Sequence, residues 1–125
     1  MRELELRMCK NCGAVVKVID KCNCKNCGIT CCGEEMFVLP LNSVDASFEK
    51  HLPMYETVGE DIVVKIDHVM DEEHYIKWIS MISDTEEVTY YLNPSDKLEV
   101  NFKYVKGANL YAFCNKHGLW KINIK

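Results

Sequence analysis

Beyond residue 36, apolar and polar residues alternate with the period of a β-strand. In DIVVKIDH, Ile62, Val64, Ile66 and His68 fall on one face. In KLEVNFKY, Leu98, Val100, Phe102 and Tyr104 alternate with Glu99, Asn101 and Lys103. EVTYYL, NLYAFC and GLWKINI are rich in the β-branched and aromatic residues that suit a pleated, half-buried surface. HYIKWISMI fits two periods, because Ile76, Ile79 and Ile82 would also line one face of a helix, but its neighbours favour a strand. SDTEE, NPSD and KGAN supply the turns through Asn, Asp, Gly and Pro. Six or seven short strands at this spacing predict a mainly β fold, an antiparallel sandwich.

The pattern breaks down before residue 36. Residues 9 to 32 read CKNCGAVVKVIDKCNCKNCGITCC, with CKNCG occurring twice, and a segment so short needs a staple in place of a core. This divides the chain into a small Cys-rich metal-binding domain over residues 1–36 and a β-sandwich domain over residues 37–125. A net charge of −4 argues against nucleic-acid binding. No apolar run approaches the length needed to cross a bilayer, and MRELELRMCK lacks the apolar region of a secretory signal, so a cytoplasmic protein without membrane contact is expected. In that reducing compartment the eight cysteines read as metal ligands before disulfides. A secreted disulfide scaffold would leave Cys114 without an obvious partner.

The four histidines, His51, His68, His74 and His117, all stand at the edge of a predicted strand or in a loop beside one. Pro53 forces Leu52 into an extended conformation and holds the loop after His51 open. His68 and His74 bracket the short connection VMDEE. His117 follows Cys114 as C-x2-H in a tight turn ending at Gly118, a spacing that lets both side chains reach one ion. One such histidine alone would pass for a surface residue; all four in ligand-like positions, one beside a cysteine, indicate a metal site. Spacing leaves zinc and iron equally open.

EKHLP, HVMDEEHYIKWI and CNKHGLW resemble, in order and approximate spacing, the three signature stretches of the superoxide reductases, the neelaredoxin and desulfoferrodoxin family. The resemblance spans about residues 36 to 125, and CCGEEM looks like the end of the desulforedoxin-like domain of two-iron members. It implies an immunoglobulin-like β-sandwich with a mononuclear iron held by His51, His68, His74 and His117 in the equatorial plane and by Cys114 as axial thiolate. The implied activity is one-electron reduction of superoxide to hydrogen peroxide, with the iron re-reduced by an external donor such as rubredoxin. Lys50 matches the family's loop lysine, which draws in the anion and orients water for protonation. Glu49 matches the glutamate that fills the sixth position in the ferric resting state. Without a ligand alongside, the same Glu–Lys pair would read as a solvated loop. Tyr75, Trp78 and Trp120 read as packing residues that exclude water and fix the imidazoles. Family members form homodimers or homotetramers. The alternatives are an electron-transfer iron protein, which leaves the histidines unexplained, and a zinc-stabilised interaction module without redox activity.

The seven N-terminal cysteines depart from the family's pattern. Cys9, Cys12, Cys31 and Cys32 match C-x2-C followed by an adjacent pair, implying an Fe(Cys)4 centre, but KCNCKNC adds Cys22, Cys24 and Cys27. Three readings stand open. The extra cysteines are spare thiols; or Cys9 and Cys12 face Cys24 and Cys27 as opposed knuckles; or residues 22 to 31 ligate a 4Fe-4S cluster.

Overall fold

The computed structural model describes residues 2–25, 28–42 and 51–125. Among them no helix is long and apolar enough to cross a membrane. The chain forms two compact units, Glu3–Pro40 and Leu41–Lys125 with Met1–Arg2.

The Glu3–Pro40 unit has five short strands: β1 (Leu6–Met8), β2 (Val15–Lys17), β3 (Thr30–Cys31), β4 (Glu34–Glu35) and β5 (Phe37–Val38). They make a three-stranded sheet of order β2-β1-β5 and a β3–β4 hairpin. Its buried apolar residues are Leu4, Leu6, Cys9, Met36 and Leu39. That is too few to offset the conformational entropy of ordering such a segment.

The larger unit carries β6 (Leu41–Asn42), β7 (Met54–Val58), β8 (Asp61–Lys65), β9 (Ile76–Ile82), β10 (Glu87–Tyr91), β11 (Glu99–Lys103), β12 (Asn109–Cys114) and β13 (Gly118–Asn123). One sheet has the order β10-β9-β12-β13-β6 and the other β11-β8-β7. All pairs are antiparallel except β13 with β6. The fold is the expected immunoglobulin-like β-sandwich. Its core takes Ile62 and Val64 from β8 and Phe102 from β11, meeting Ile79, Met81, Leu110, Ala112 and Trp120 from the other sheet. Alternation places these residues on the inner faces. Ser80 is buried opposite Thr89, and their hydroxyls satisfy each other at 2.7 Å.

HYIKWISMI is a strand, and its helix-like spacing has a structural cause. Phe113 of β12 pairs with Trp78, but Cys114 pairs with Ile76, so β9 carries Lys77 as an extra residue in a β-bulge. Ile79 and Ile76 thereby both enter the core, three residues apart.

Ile79→Ala should cost about 3 kcal/mol by leaving a cavity between β9 and its neighbours. Tyr91→Ala, at a side chain 80% exposed, should stay within about 0.5 kcal/mol. Urea unfolding followed by circular dichroism measures both.

Candidate metal centres

Loops and turns flanking the strands of the sandwich present the histidines. His51 precedes β7 and is 1% exposed. His68 lies just beyond β8, and His74 two residues before β9. The loop between them closes on itself: Asp71 N–H donates to the His74 carbonyl at 2.9 Å, and His74 N–H to the Asp71 carbonyl at 3.1 Å. Cys114 ends β12 in register with Gly118, so His117 belongs to the hairpin turn. That turn needs a left-handed residue, and Gly118 supplies it at φ +88°. Cys114 is fully buried at the end of the core-facing row Leu110, Ala112, Cys114, whereas His117 is exposed.

Five donor atoms, one each from His51, His68, His74, Cys114 and His117, lie within 4.8 Å of one another. His51 Nε2 is 2.9 Å from His117 Nδ1. The Cys114 Sγ is 3.6 Å from His68 Nε2 and 3.8 Å from His117 Nδ1. Metal–nitrogen bonds of about 2.0–2.1 Å place neighbouring ligand nitrogens of a square array about 3.0 Å apart, so one ion fits this set. The Val69 carbonyl can only accept, so the 2.6 Å contact from His68 Nδ1 puts the proton there and turns the Nε2 lone pair toward the cluster. Four imidazoles and one thiolate suit a borderline transition metal such as iron or zinc better than calcium or magnesium.

Two neighbours hold the set in place. Trp120 stacks on His51 at 4.0 Å between ring centroids and 14° between planes. Asn115 links the hairpin turn to the His74 loop. Its Oδ1 accepts from Tyr75 N–H at 3.0 Å, its Nδ2 donates to the Glu73 carbonyl at 2.9 Å, and its backbone N–H donates to the Tyr75 carbonyl at 3.2 Å. The one signal that Asn115 carries in the sequence is its place inside C-x2-H. A groove of about 490 Å³, lined by Met54, Lys65, Asp67, Asp96 and Lys97, reaches His68. Beside it, hydrogen bonds from Lys97 and then Lys65 hold the Glu99 carboxyl below its ordinary range. Glu49 and Lys50 lie outside the described residues.

A second group forms in the small unit, where sulfurs of Cys9, Cys12, Cys31 and Cys32 lie within 4.8 Å of one another. Cys12 and Cys31 sulfurs are 3.6 Å apart and those of Cys31 and Cys32 3.9 Å. Four sulfurs on one ion at about 2.3 Å would stand about 3.8 Å apart, so this spacing fits a tetrahedral thiolate site. The Cys9 knuckle is closed by Gly13 N–H donating to the Cys9 carbonyl and Cys9 N–H to the Ala14 carbonyl, both at 2.9 Å. The backbone N–H of Cys12 brings the Cys9 thiol down to about 7, against the opposing effect of burial. Hydrogen bonding with Cys12, then Cys9 and Cys32, pushes Cys31 up to about 12, and Cys12 likewise raises Cys32. Four thiolates cannot share so small a space without a cation to neutralise them. Cys22 and Cys24 lie outside this group, their sulfurs 3.7 Å apart. Cys27 is outside the described residues.

The desulfoferrodoxin family model matches residues 43–123, a span that includes all four histidines and Cys114. A desulfoferrodoxin of Syntrophotalea carbinolica is 37% identical over 123 residues, covering 94% of each chain. A superoxide reductase of Pyrococcus horikoshii is 31% identical over 108 residues, covering 68% of this chain and 94% of that protein. Among solved structures, the superoxide reductase of Treponema pallidum superposes with a TM-score of 0.74 at 26% identity, covering 98% of this chain and 99% of its own.

Proposed function

The chain belongs to the desulfoferrodoxin family, and we propose that it is a superoxide reductase, taking superoxide to hydrogen peroxide at an iron held by His51, His68, His74, His117 and Cys114. The observation that carries this reading is the convergence of those five donors within 4.8 Å. The iron, when bound, supplies one electron and a coordination position for a small anion.

The residues set the conditions for that chemistry. Four neutral imidazoles leave the ion's charge in place and one thiolate cancels part of it, so the centre is locally positive in an acidic protein and draws an anion. Cys114, held in the apolar core row, directs sulfur electron density at the ion, the lever cysteine exerts in some haem enzymes. The hydrogen bond from His68 to Val69 and the Asn115 link fix ligand orientation. Lys50, preceding His51, would draw in superoxide and orient the water that delivers protons, and Glu49 would offer a carboxylate to the ion in the oxidised resting state. Each turnover takes one electron and two protons per superoxide, the electron coming from an external carrier such as rubredoxin. Cys9, Cys12, Cys31 and Cys32 hold a second iron.

Rapid mixing of the reduced, iron-loaded protein with superoxide tests the reading. It should yield one hydrogen peroxide per superoxide and one oxidised iron, without oxygen. Oxygen at half the superoxide consumed would mean dismutation, and a colourless protein with stoichiometric zinc would mean a non-redox module. Lys50→Ala should slow the second-order step about tenfold and flatten its salt dependence. Rates identical to the parent at every ionic strength would remove Lys50 from the mechanism.

A further inference from the structure

Trp120 belongs to β13, opposite Ala112, and is 7% exposed. Its stacking partner His51 is 1% exposed. The other rings around His51 belong to His68 at 4.6 Å, His117 at 4.8 Å and His74 at 6.5 Å, and they are tilted or edge-on. Among the described residues, the indole is thus the one ring lying flat on His51 and the one that is not itself a candidate ligand.

A hydrogen bond does not account for an indole here. Buried tryptophan N–H groups ordinarily find an acceptor. Trp120 Nε1 is buried and has none among the described residues. Such a group destabilises the fold, and phenylalanine, leucine or methionine at this position would escape that cost. Leucine and methionine lack an electron-rich π face and phenylalanine offers a weaker one, and the ring that the indole face meets among the described residues is His51.

We propose that Trp120 tunes the metal centre through His51: its indole face stabilises the imidazole more when the bound metal carries the higher charge, and so lowers the reduction potential. The inference rests on reading the five-residue cluster as a redox-active metal site. An imidazole bound to a cation takes on part of its positive charge, and a positively charged group over an indole face is attracted by the ring quadrupole. The attraction is little screened at a buried site. Oxidation adds one positive charge to the centre, so the stack strengthens in the oxidised state. Trp120 is therefore a positioning and tuning residue that acts without touching substrate.

The test uses iron-loaded full chain in which Trp78 is replaced by phenylalanine, leaving Trp120 as the single tryptophan. Growth on tryptophan, fluorotryptophan, difluorotryptophan and tetrafluorotryptophan keeps the ring's shape while draining its π face. The ferric-to-ferrous ratio of the His51 centre at fixed ambient potential, read from the charge-transfer band that Cys114→Ser removes, should fall stepwise along the series, by about tenfold overall. A ratio constant across the series would overturn the proposal. Trp120→Phe should keep part of the effect and Trp120→Leu none; equal potentials for these two would also overturn it. Neither readout involves superoxide. A stepwise potential in a protein that fails to reduce superoxide would refute the functional reading and leave this inference standing.

Discussion

Cys114→Ser should lower the rate of superoxide reduction by at least about 100-fold and erase the charge-transfer absorption from Cys114 sulfur to iron, leaving that of the four-cysteine centre in place, while the sandwich stays folded. The side chain is fully buried at the end of the row Leu110, Ala112, Cys114, and serine is nearly isosteric there, so packing changes little. The electronic change is large. A thiolate is a soft, charged donor, whereas a serine hydroxyl stays protonated near neutral pH and offers a weak, hard oxygen. Altering the outer-shell partners of a metal ligand already costs about 10–100-fold in affinity or activity, and here the ligand itself is exchanged. The imidazoles remain, so the metal is expected to stay bound more weakly. Rapid mixing with superoxide and visible spectra of the oxidised protein measure both parts. A variant with the parent's band and rate would show that this sulfur faces no metal.

Stripping metal from the Glu3–Pro40 unit should unfold that unit and leave the larger one intact. The five buried apolar side chains among its described residues cannot hold it, and a structural thiolate site contributes on the order of 10–16 kcal/mol of apparent folding free energy at neutral pH. Treatment with a strong chelator under reducing conditions, or Cys12→Ser, should abolish amide-exchange protection in β1, β2 and β5. Protection in β9 and β12 should persist. The pH dependence has a defined sign. Cys31, near 12, and Cys32, also raised, are protonated in the metal-free cluster and must lose those protons to bind. Metal uptake therefore releases protons, and affinity falls as pH falls. Unchanged exchange after complete metal removal would show that the unit stands without a staple.

Much of the sandwich was legible because its strands keep one face dry. The alternation in residues 61 to 68 and 97 to 104 maps onto β8 and β11, with Ile62, Val64 and Phe102 in the core. β7 escaped the pattern because it is an edge strand whose residues are mostly exposed, leaving no apolar row to read. β6 is two residues long and owes its existence to a parallel pairing with β13, which no local pattern announces. The i, i+3 spacing of Ile76 and Ile79 imitated a helix because a bulge brings both to the core face.

At the metal centres, residue type was informative and geometry was not. The histidines and Cys114 stood out by rarity and position. The link through Asn115 joins residues some 40 positions apart and exists only once the hairpin turn meets the His74 loop. In the small unit, spacing left open which cysteines would join Cys9 and Cys12. The left-handed turn at Cys32 and Gly33, φ 54° and 75°, places the Cys31–Cys32 pair against them, and no spacing rule encodes that reversal.

The extra residue in β9 makes position 77 a place where the strand could shorten without changing its pairing. Lys77 is exposed and many side chains would serve there. Removing it would join Ile76 directly to Trp78, and the pairs Cys114 with Ile76 and Phe113 with Trp78 would then follow one another as in a regular ladder. Alternation would still turn Ile76 to the core side with Ile79. Variation at position 77 can therefore extend to the presence of the residue as well as to its identity.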